Sequence, residues 1–168
     1  MTRIGLLSDT HGYLDHTLFK HFEKVDEIWH AGDVGKLDII DQLEQFKPCR
    51  MVYGNIDSHA VRIRTHENLD FELEGLRFYI THIGGYPPRY HPRVLKSLRE
   101  NPPSVFICGH SHILRVMRDP KLRNMLYINP GAAGKEGFHQ VRTAMTFVLD
   151  EGKILDMAVI ELGKRGRL

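Results

Sequence analysis

Five short apolar segments of this sequence are each followed by histidine, aspartate or asparagine. These endings are Asp9-Thr10-His11-Gly12, Gly32-Asp33, Gly54-Asn55-Ile56-Asp57, Thr81-His82 and Gly109-His110-Ser111-His112. Their potential ligands are four imidazoles, two carboxylates and one amide oxygen, on Asp9, His11, Asp33, Asn55, His82, His110 and His112. Nitrogen and oxygen donors without a thiolate suit borderline divalent ions such as Mn, Fe, Ni, Zn or Co. Because the donors outnumber the ligands of one catalytic zinc, they predict two ions that share a carboxylate.

Each of these residues also has an ordinary structural explanation when it is taken alone. An Asp after a strand commonly caps a helix or lies in a turn, and Gly-Asp and Gly-Asn are typical turn dipeptides. A single His such as His82 is commonly a hydrogen-bonded structural side chain, and only His110-Ser111-His112 stands out by itself. Five such endings in one chain are improbable as coincidence, so we predict one shared metal site.

Apolar periodicity predicts the elements that position these residues. We predict strands at 4–7, 27–30 and 50–53, with amphipathic helices at 14–25 and from 37 to Pro48 between them. This βαβαβ order favours a parallel sheet. Further on, we predict a hairpin at 71–80, a helix at 92–100 and strands at 105–108, 114–117, 125–128, 144–149 and 154–160. The predicted fold is α/β, an αββα sandwich of two packed mixed β-sheets flanked by helices.

The metal site is predicted at the carboxyl edge of the strands, where ligands bind in α/β sheets. In an extended chain, residues two apart point to the same side, so Asp9 and His11 are expected to face the site as a pair. His110 and His112 are expected to do the same. Glycines beside the ligands allow the backbone to turn sharply there.

Composition limits the remaining classes. The 168 residues fit one domain, 1–168, and 23 Lys and Arg against 21 Asp and Glu give a net charge of +2, weaker than nucleic-acid binders usually carry. The apolar run Ile4–Leu7 is too short for a signal or a membrane span, so a cytoplasmic protein without membrane contact is expected. Cys49 and Cys108 lack CxxC spacing and are predicted to be core residues, and Lys164–Arg167 a frayed, solvated tail.

Taken in this order, the motifs resemble those of the calcineurin-like metallophosphoesterases. The short chain and the form Gly54-Asn55-Ile56-Asp57 are most similar to the small bacterial and archaeal phosphodiesterase branch, which is related to the retromer scaffold subunit. Asn129-Pro130-Gly131-Ala132 resembles an Asn-Pro-Gly-Ser segment of that branch, and the resemblance extends from Asp9 to about Gly134. It implies the αββα sandwich and a two-metal site.

The resemblance also implies a division of the ligands. The first ion is held by Asp9, His11, Asp33 and His112, and the second by Asp33, Asn55, His82 and His110, with Asp33 as the bridge. The implied reaction is phosphodiester hydrolysis, in which a hydroxide bridging the two ions attacks phosphorus in line without a covalent enzyme intermediate. We assign catalytic roles to Asp57, His82 and His110, with manganese among the candidate ions.

Two departures from the family pattern affect the expected chemistry. Many members carry Gly-Asn-His-Asp/Glu, in which the His assists the leaving group, whereas this chain has Ile56. Isoleucine cannot donate a proton, so we expect a preference for good leaving groups and an orienting role for Asp57. Ile83 also separates His82 from Gly84-Gly85.

The loop at 86–93 follows a predicted ligand directly. We assign substrate contacts to its arginines Arg89 and Arg93 and to Asn55, because guanidinium groups bind phosphate oxygens. The alternative is a surface loop with solvated arginines. The histidines that match no motif are expected to be surface or structural residues, namely His16, His21, His30, His59, His66 and His139.

Two functions of different classes fit these observations. The first is a binuclear-metal phosphodiesterase acting on a small phosphodiester, alone or as a homo-oligomer. The alternative is a catalytically weak, metal-binding scaffold of the same fold, against which the complete ligand set argues. A zinc hydrolase or deaminase is not supported, because neither His-Glu-x-x-His nor His-x-Glu with Cys-x-x-Cys is present.

Overall fold

The computed structural model describes residues 1–166, whose strands form two five-stranded sheets and one two-stranded ribbon. The elements are β1 (Thr2–Leu7), α1 (Thr17–His21), β2 (Glu27–His30), α2 (Leu37–Phe46), β3 (Cys49–Met51), α3 (His59–Arg64), β4 (Asn68–Leu73), β5 (Leu76–Thr81), β6 (Gly85–Tyr86), β7 (Arg89–Tyr90), α4 (Pro92–Glu100), β8 (Val105–Ile107), β9 (Leu114–Asp119), β10 (Met125–Pro130), β11 (Val141–Asp150) and β12 (Lys153–Lys164).

Both large sheets are mixed. In the first sheet, with strand order β12-β11-β1-β2-β3, strands β1, β2 and β3 are parallel and the other pairings are antiparallel. In the second sheet, with strand order β4-β5-β8-β10-β9, strands β5, β8 and β10 are parallel and the edge strands are antiparallel to them. Among the later strands, β8 and β10 are therefore parallel to β5, whereas β9, β11 and β12 pair only antiparallel with their neighbours.

Three apolar clusters define the layers. Trp29 lies in the cluster between the sheets, where it contacts Phe78 and Phe147 edge to face. Leu18 and Ile40 pack α1 and α2 on the outer face of the first sheet, and α4 packs on the outer face of the second. The order is helices, sheet, sheet, helix, which confirms the predicted αββα sandwich.

The helix predicted at 14–25 is much shorter in the structure. Leu14, Phe22 and Val25 are buried as their spacing requires, but only Thr17–His21 is helical. The Asp15 side chain accepts hydrogen bonds from the backbone and hydroxyl of Thr17, so the helix begins there, and turns continue after His21. Successive turns repeat apolar contacts at helix-like spacing, which is why the periodicity overestimated the length of the helix.

The end of the chain also differs from expectation. Lys164 is the last residue of β12 rather than part of a frayed tail, and the Arg165 amide donates to the Gln140 carbonyl. Arg167 lies outside the described residues. Within residues 1–166, no helix has the length and apolar character needed to cross a membrane.

Candidate metal centre

The carboxyl ends of four strands bring six of the predicted ligands together at one edge of the sandwich. They form two groups, Asp9 with His11 and His112, and Asp33 with His82 and His110. Within each group, one potential ligand atom per residue lies within 4.8 Å of the others. The ligands follow β1, β2, β5 and β8, which belong to both sheets, so the packing of the two sheets creates the cluster.

Asp9 presents one of its carboxylate oxygens to the cluster. Its Oδ2 accepts hydrogen bonds from the Ser8 hydroxyl at 2.6 Å and from the His110 amide at 3.1 Å. Its Oδ1 is buried without a hydrogen-bond partner among the described residues and lies 3.1 Å from His112 Nε2. A buried carboxylate oxygen without a partner is costly, which is the condition that a bound cation relieves.

Asp33 lies between the two groups. Its Oδ2 is 3.4 Å from His11 Nε2 in one group and 3.1 Å from His82 Nε2 in the other. Its Oδ1 accepts a hydrogen bond from the Ile56 amide at 3.1 Å, so the carboxylate is held with the second oxygen toward both imidazoles. This is the geometry that a bridging carboxylate requires.

Two imidazole nitrogens also lack partners in the described part of the chain. His82 Nδ1 lies 2.8 Å from the Ala31 carbonyl oxygen and donates to it, which leaves Nε2 unprotonated in the neutral ring. Nε2 of His82 and Nε2 of His11 are buried and form no hydrogen bond. Two orphaned nitrogens and one orphaned carboxylate oxygen converge here, so these residues fit divalent metal ions.

Electrostatics keeps both carboxylates ionised. Burial by itself would raise the pKa of Asp9, but the nearby imidazoles of His11 and His112 outweigh it and the pKa is lowered. The pKa of Asp33 is lowered as well, because His82 outweighs the effect of burial. The pKa of His11 is raised, chiefly by the nearby Asp9 carboxylate. A divalent ion bound here would replace the proton on the His11 imidazole, since a ligating imidazole must be neutral.

The backbone at the ligands is left-handed rather than extended. Asp9, His11, Asp33, His110 and His112 have φ between 47° and 66°. Asp9 and His11 face the site as a pair, as predicted, but strand alternation is not the reason, because all four residues lie in loops beyond the strands. His110 and His112 belong to different groups of ligands. Left-handed non-glycine residues are strained and concentrate at functional sites.

Gly54 and Gly109 serve a purpose other than the predicted sharp turns. Neither has a positive φ. A Cβ at Gly54 would clash with the Asp33 carboxylate, and one at Gly109 would lie 2.6 Å from Asp9 Oδ2. These glycines are required because the carboxylates pack directly against their backbone.

Asp57 holds two of the ligand-bearing loops together and is buried. Its carboxylate accepts hydrogen bonds from the amides of Gly35 at 2.7 Å, Gly54 at 2.8 Å and Val34 at 3.1 Å. The loop after β2 is thereby tied to the loop after β3. Arg62 adds a hydrogen bond from its Nε to the Asp57 carbonyl and lies over the Tyr53 ring. Asp57 therefore has the geometry of an orienting residue.

The predicted substrate contacts line two cavities beside the second group of ligands. Asn55 and Arg93 line a cavity of about 180 Å³ together with His82, and Arg93 pairs with Glu67 at 2.5 Å. Arg89 lines a cavity of about 390 Å³ with His110.

The two departures from the family pattern lie at this same edge. Ile56 is 46% exposed and follows Asn55, and Ile83 borders both cavities. His82 keeps its place among the ligands despite Ile83.

Several residues that support the ligands were missed or underrated by sequence reasoning. His30, expected among the surface or structural histidines, is fully buried and bridges two loops through Thr10 and the Gly32 amide. Asn129, which belongs to the Asn-Pro-Gly segment that resembles the family, donates to the Gly109 carbonyl and to the Ser111 hydroxyl. The sequence feature that could have identified Asn129 is the Asn-Pro-Gly segment. For His30 the only such feature is its position at the end of a predicted strand.

Fold and site together define a protein of the αββα class with a metal-binding edge, and comparison with known proteins identifies the family. Residues 2–152 match the calcineurin-like phosphoesterase superfamily domain. A probable metallophosphoesterase of Methanothermobacter thermautotrophicus is 35% identical over 135 residues, covering 77% of this chain and 76% of that protein. One from Mycoplasma pneumoniae is 30% identical over 165 residues, covering 94% and 96%. The chain belongs to the calcineurin-like phosphoesterase superfamily.

Solved structures show the same fold. An archaeal phosphodiesterase has a TM-score of 0.74 at 23% identity, covering 94% of this chain and 99% of that one. Vps29 of Chaetomium thermophilum has a TM-score of 0.75 at 15% identity, covering 96% and 97%. At these identities the similarity concerns the fold alone.

Proposed function

We propose that the protein is a phosphodiesterase that uses two divalent metal ions. The observation that carries the proposal is the position of Asp33, whose Oδ2 faces an imidazole of each ligand group at 3.1–3.4 Å. Asp9, His11, Asp33 and His112 would hold the first ion, and Asp33, Asn55, His82 and His110 the second. When bound, the two ions lower the pKa of a water molecule and neutralise the phosphate oxygens during in-line displacement.

The protein residues contribute charge and orientation. Asp33 places one negative charge between the two groups, where it offsets the repulsion of two cations. Ser8 fixes Asp9, and the Ala31 carbonyl fixes the His82 ring, so both ligand atoms are oriented before any ion binds. Preorganised ligands of this kind spare the cost of reorganisation during the reaction.

A preference for diesters over monoesters is supported by the two cavities. A phosphodiester has two organic arms, and both cavities adjoin the second ligand group. One offers Tyr53 and Tyr79 beside Arg93, and the other offers Tyr86 beside Arg89. Aromatic rings beside guanidinium groups suit an aryl or nucleobase arm next to a phosphate.

Ile56 supports a preference for acidic leaving groups. It occupies the position where many family members carry the assisting His, and its side chain has no proton to donate. An alcohol of high pKa then leaves without general-acid help, which typically costs about 10²–10⁴-fold in rate. Aryl esters do not need that help.

The test is a metal-screened assay of an aryl phosphodiester and the matching aryl monoester. We expect hydrolysis to depend on added Mn, Fe, Ni, Zn or Co, with the diester cleaved faster. Asp33→Asn is the inactive control. Equal rates on an alkyl monoester and the aryl diester would overturn both the substrate class and the role given to Ile56.

A catalytically weak scaffold is the second candidate. Its support is a set of exposed apolar side chains near the metal edge: Ile56 follows Asn55, Ile113 follows His112, and Phe138 precedes His139. A protein partner could cover these side chains. No metal-dependent turnover above the Asp33→Asn background, with two ions bound, would favour this function.

A further inference from the structure

The connection between β10 and β11 passes directly over the first group of ligands. His139 on this connection has its Nδ1 3.3 Å from His112 Nδ1, and its Nε2 is 2.8 Å from the Gly134 carbonyl oxygen. The two rings meet edge to face, with centroids 5.2 Å apart. A Cβ at Gly137 would clash with His112 Nδ1, so the backbone also closes on this imidazole.

The hydrogen bonds determine which nitrogens carry protons. A carbonyl oxygen only accepts, so His139 Nε2 carries a proton and donates it to Gly134. In the neutral ring the lone pair of His139 is then on Nδ1. His112 Nδ1 must donate to that lone pair, which leaves the lone pair of His112 on Nε2, the atom 3.1 Å from Asp9 Oδ1.

We propose that His139 is a positioning residue, which holds His112 in the tautomer and orientation that direct its Nε2 at the first metal ion. Imidazole ligands in metal sites commonly donate their other nitrogen to a partner that fixes the ring. Here the partner is a second imidazole, itself fixed by a main-chain carbonyl. The proposal rests on the two-metal assignment above but not on the reaction catalysed.

The second ligand group is supported differently. His82 donates to the main-chain carbonyl of Ala31, a partner that no side-chain substitution removes. In the first group, His11 Nδ1 faces Glu136 Oε2 at 3.6 Å, and Glu136 lies on the same connection as His139. The connection therefore carries partners for both imidazoles of the first group. We infer that changes in this segment act on the first ion and spare the second.

The test compares His139→Phe with His139→Gln. Phenylalanine keeps a flat ring but accepts no hydrogen bond, whereas the glutamine carbonyl can accept the His112 Nδ1 proton. His21→Phe is the control, because His21 is exposed on α1. Zinc is titrated into each metal-free protein by calorimetry. His112 Nδ1–H is followed by ¹H–¹⁵N NMR in the zinc-loaded and metal-free proteins.

We expect His139→Phe to weaken one zinc-binding step by about 10–100-fold, the usual effect of removing such a partner, and to leave the other step unchanged. The His112 Nδ1–H resonance should broaden or disappear. His139→Gln should recover most of the zinc affinity and of the His112 Nδ1–H resonance, and His21→Phe should match the parent protein in both.

Equal weakening of both steps, or a glutamine variant no better than phenylalanine, would show that His139 only packs the loop. A parent protein that binds a single zinc would refute the two-metal assignment. In that case a His112 Nδ1–H resonance that depends on His139 in the metal-free protein still supports the pairing, and an independent resonance overturns it.

Discussion

Replacing Asp57 with Asn separates orientation of the loops from metal ligation. The carboxylate accepts three amide hydrogen bonds, two at Oδ2 and one at Oδ1. Asparagine keeps one acceptor oxygen, and its NH₂ group then faces an amide N–H, most simply that of Gly35. The part-buried Gly35 amide is left unsatisfied, at about 1–3 kcal/mol, and the remaining bonds lose their charge assistance. We expect the free energy of unfolding to fall by about 2–4 kcal/mol.

The same change should alter turnover more than metal content. Asp57 touches the backbone beside Asp33 and Asn55 but lies in neither ligand group, so both ions should stay bound while the rate falls about 10–100-fold. Urea unfolding of the metal-free protein, elemental analysis and kcat on an aryl diester measure the three effects. The matched control is Asp70→Asn, whose exposed carboxylate pairs with Arg77 on the far hairpin. Loss of both ions would make Asp57 a ligand, and unchanged stability and rate would refute the orienting role.

Four further predictions concern individual side chains. Asp33→Asn, which keeps the shape but removes the shared charge, should lose both bound ions and turnover, as seen by elemental analysis and kcat. Ile56→His should raise kcat on alkyl diesters about tenfold or more while aryl diesters change little. Gly54→Ala should displace the Asp33 carboxylate, cost about 1–3 kcal/mol of stability and weaken metal binding in a calorimetric titration. Burial lowers the pKa of His30 to about 4, so its protonation favours the unfolded state. Stability should fall by up to about 1.4 kcal/mol per pH unit as the pH drops from about 6.5 toward 4, and urea unfolding of His30→Gln should lack that slope.

The strand ends were predictable because local chemistry marks them. Helix α4 runs from Pro92 to Glu100 as predicted, since proline begins it and two prolines follow it. The residues after β1, β2, β5 and β8 stood out because apolar runs stop abruptly at Asp or His. Parallel strands bring such residues to one edge of each sheet, and the packing of the two sheets then brings the two edges together.

The contacts across loops were not predictable from the sequence. Nothing in the spacing of His139 indicates that it meets His112, because the contact depends on how the β10–β11 connection folds back over β8. The partners of Asp57 are equally remote, since Val34 and Gly35 are more than twenty residues away in the chain. Local patterns identify which residue types are present, whereas pairings of this kind depend on tertiary structure.

The left-handed backbone at the ligands shows how the local sequence and the tertiary contacts depend on each other. Each such non-glycine residue costs about 1 kcal/mol or more, and five ligands share this conformation. The strain persists only because other groups hold the loops, including Asp57 between the loops after β2 and β3 and Asn129 on the loop after β8. The ligands therefore converge because of their supporting hydrogen bonds as much as because of their own identity. Conservative changes at these supports should disturb the candidate metal centre even where every ligand is kept.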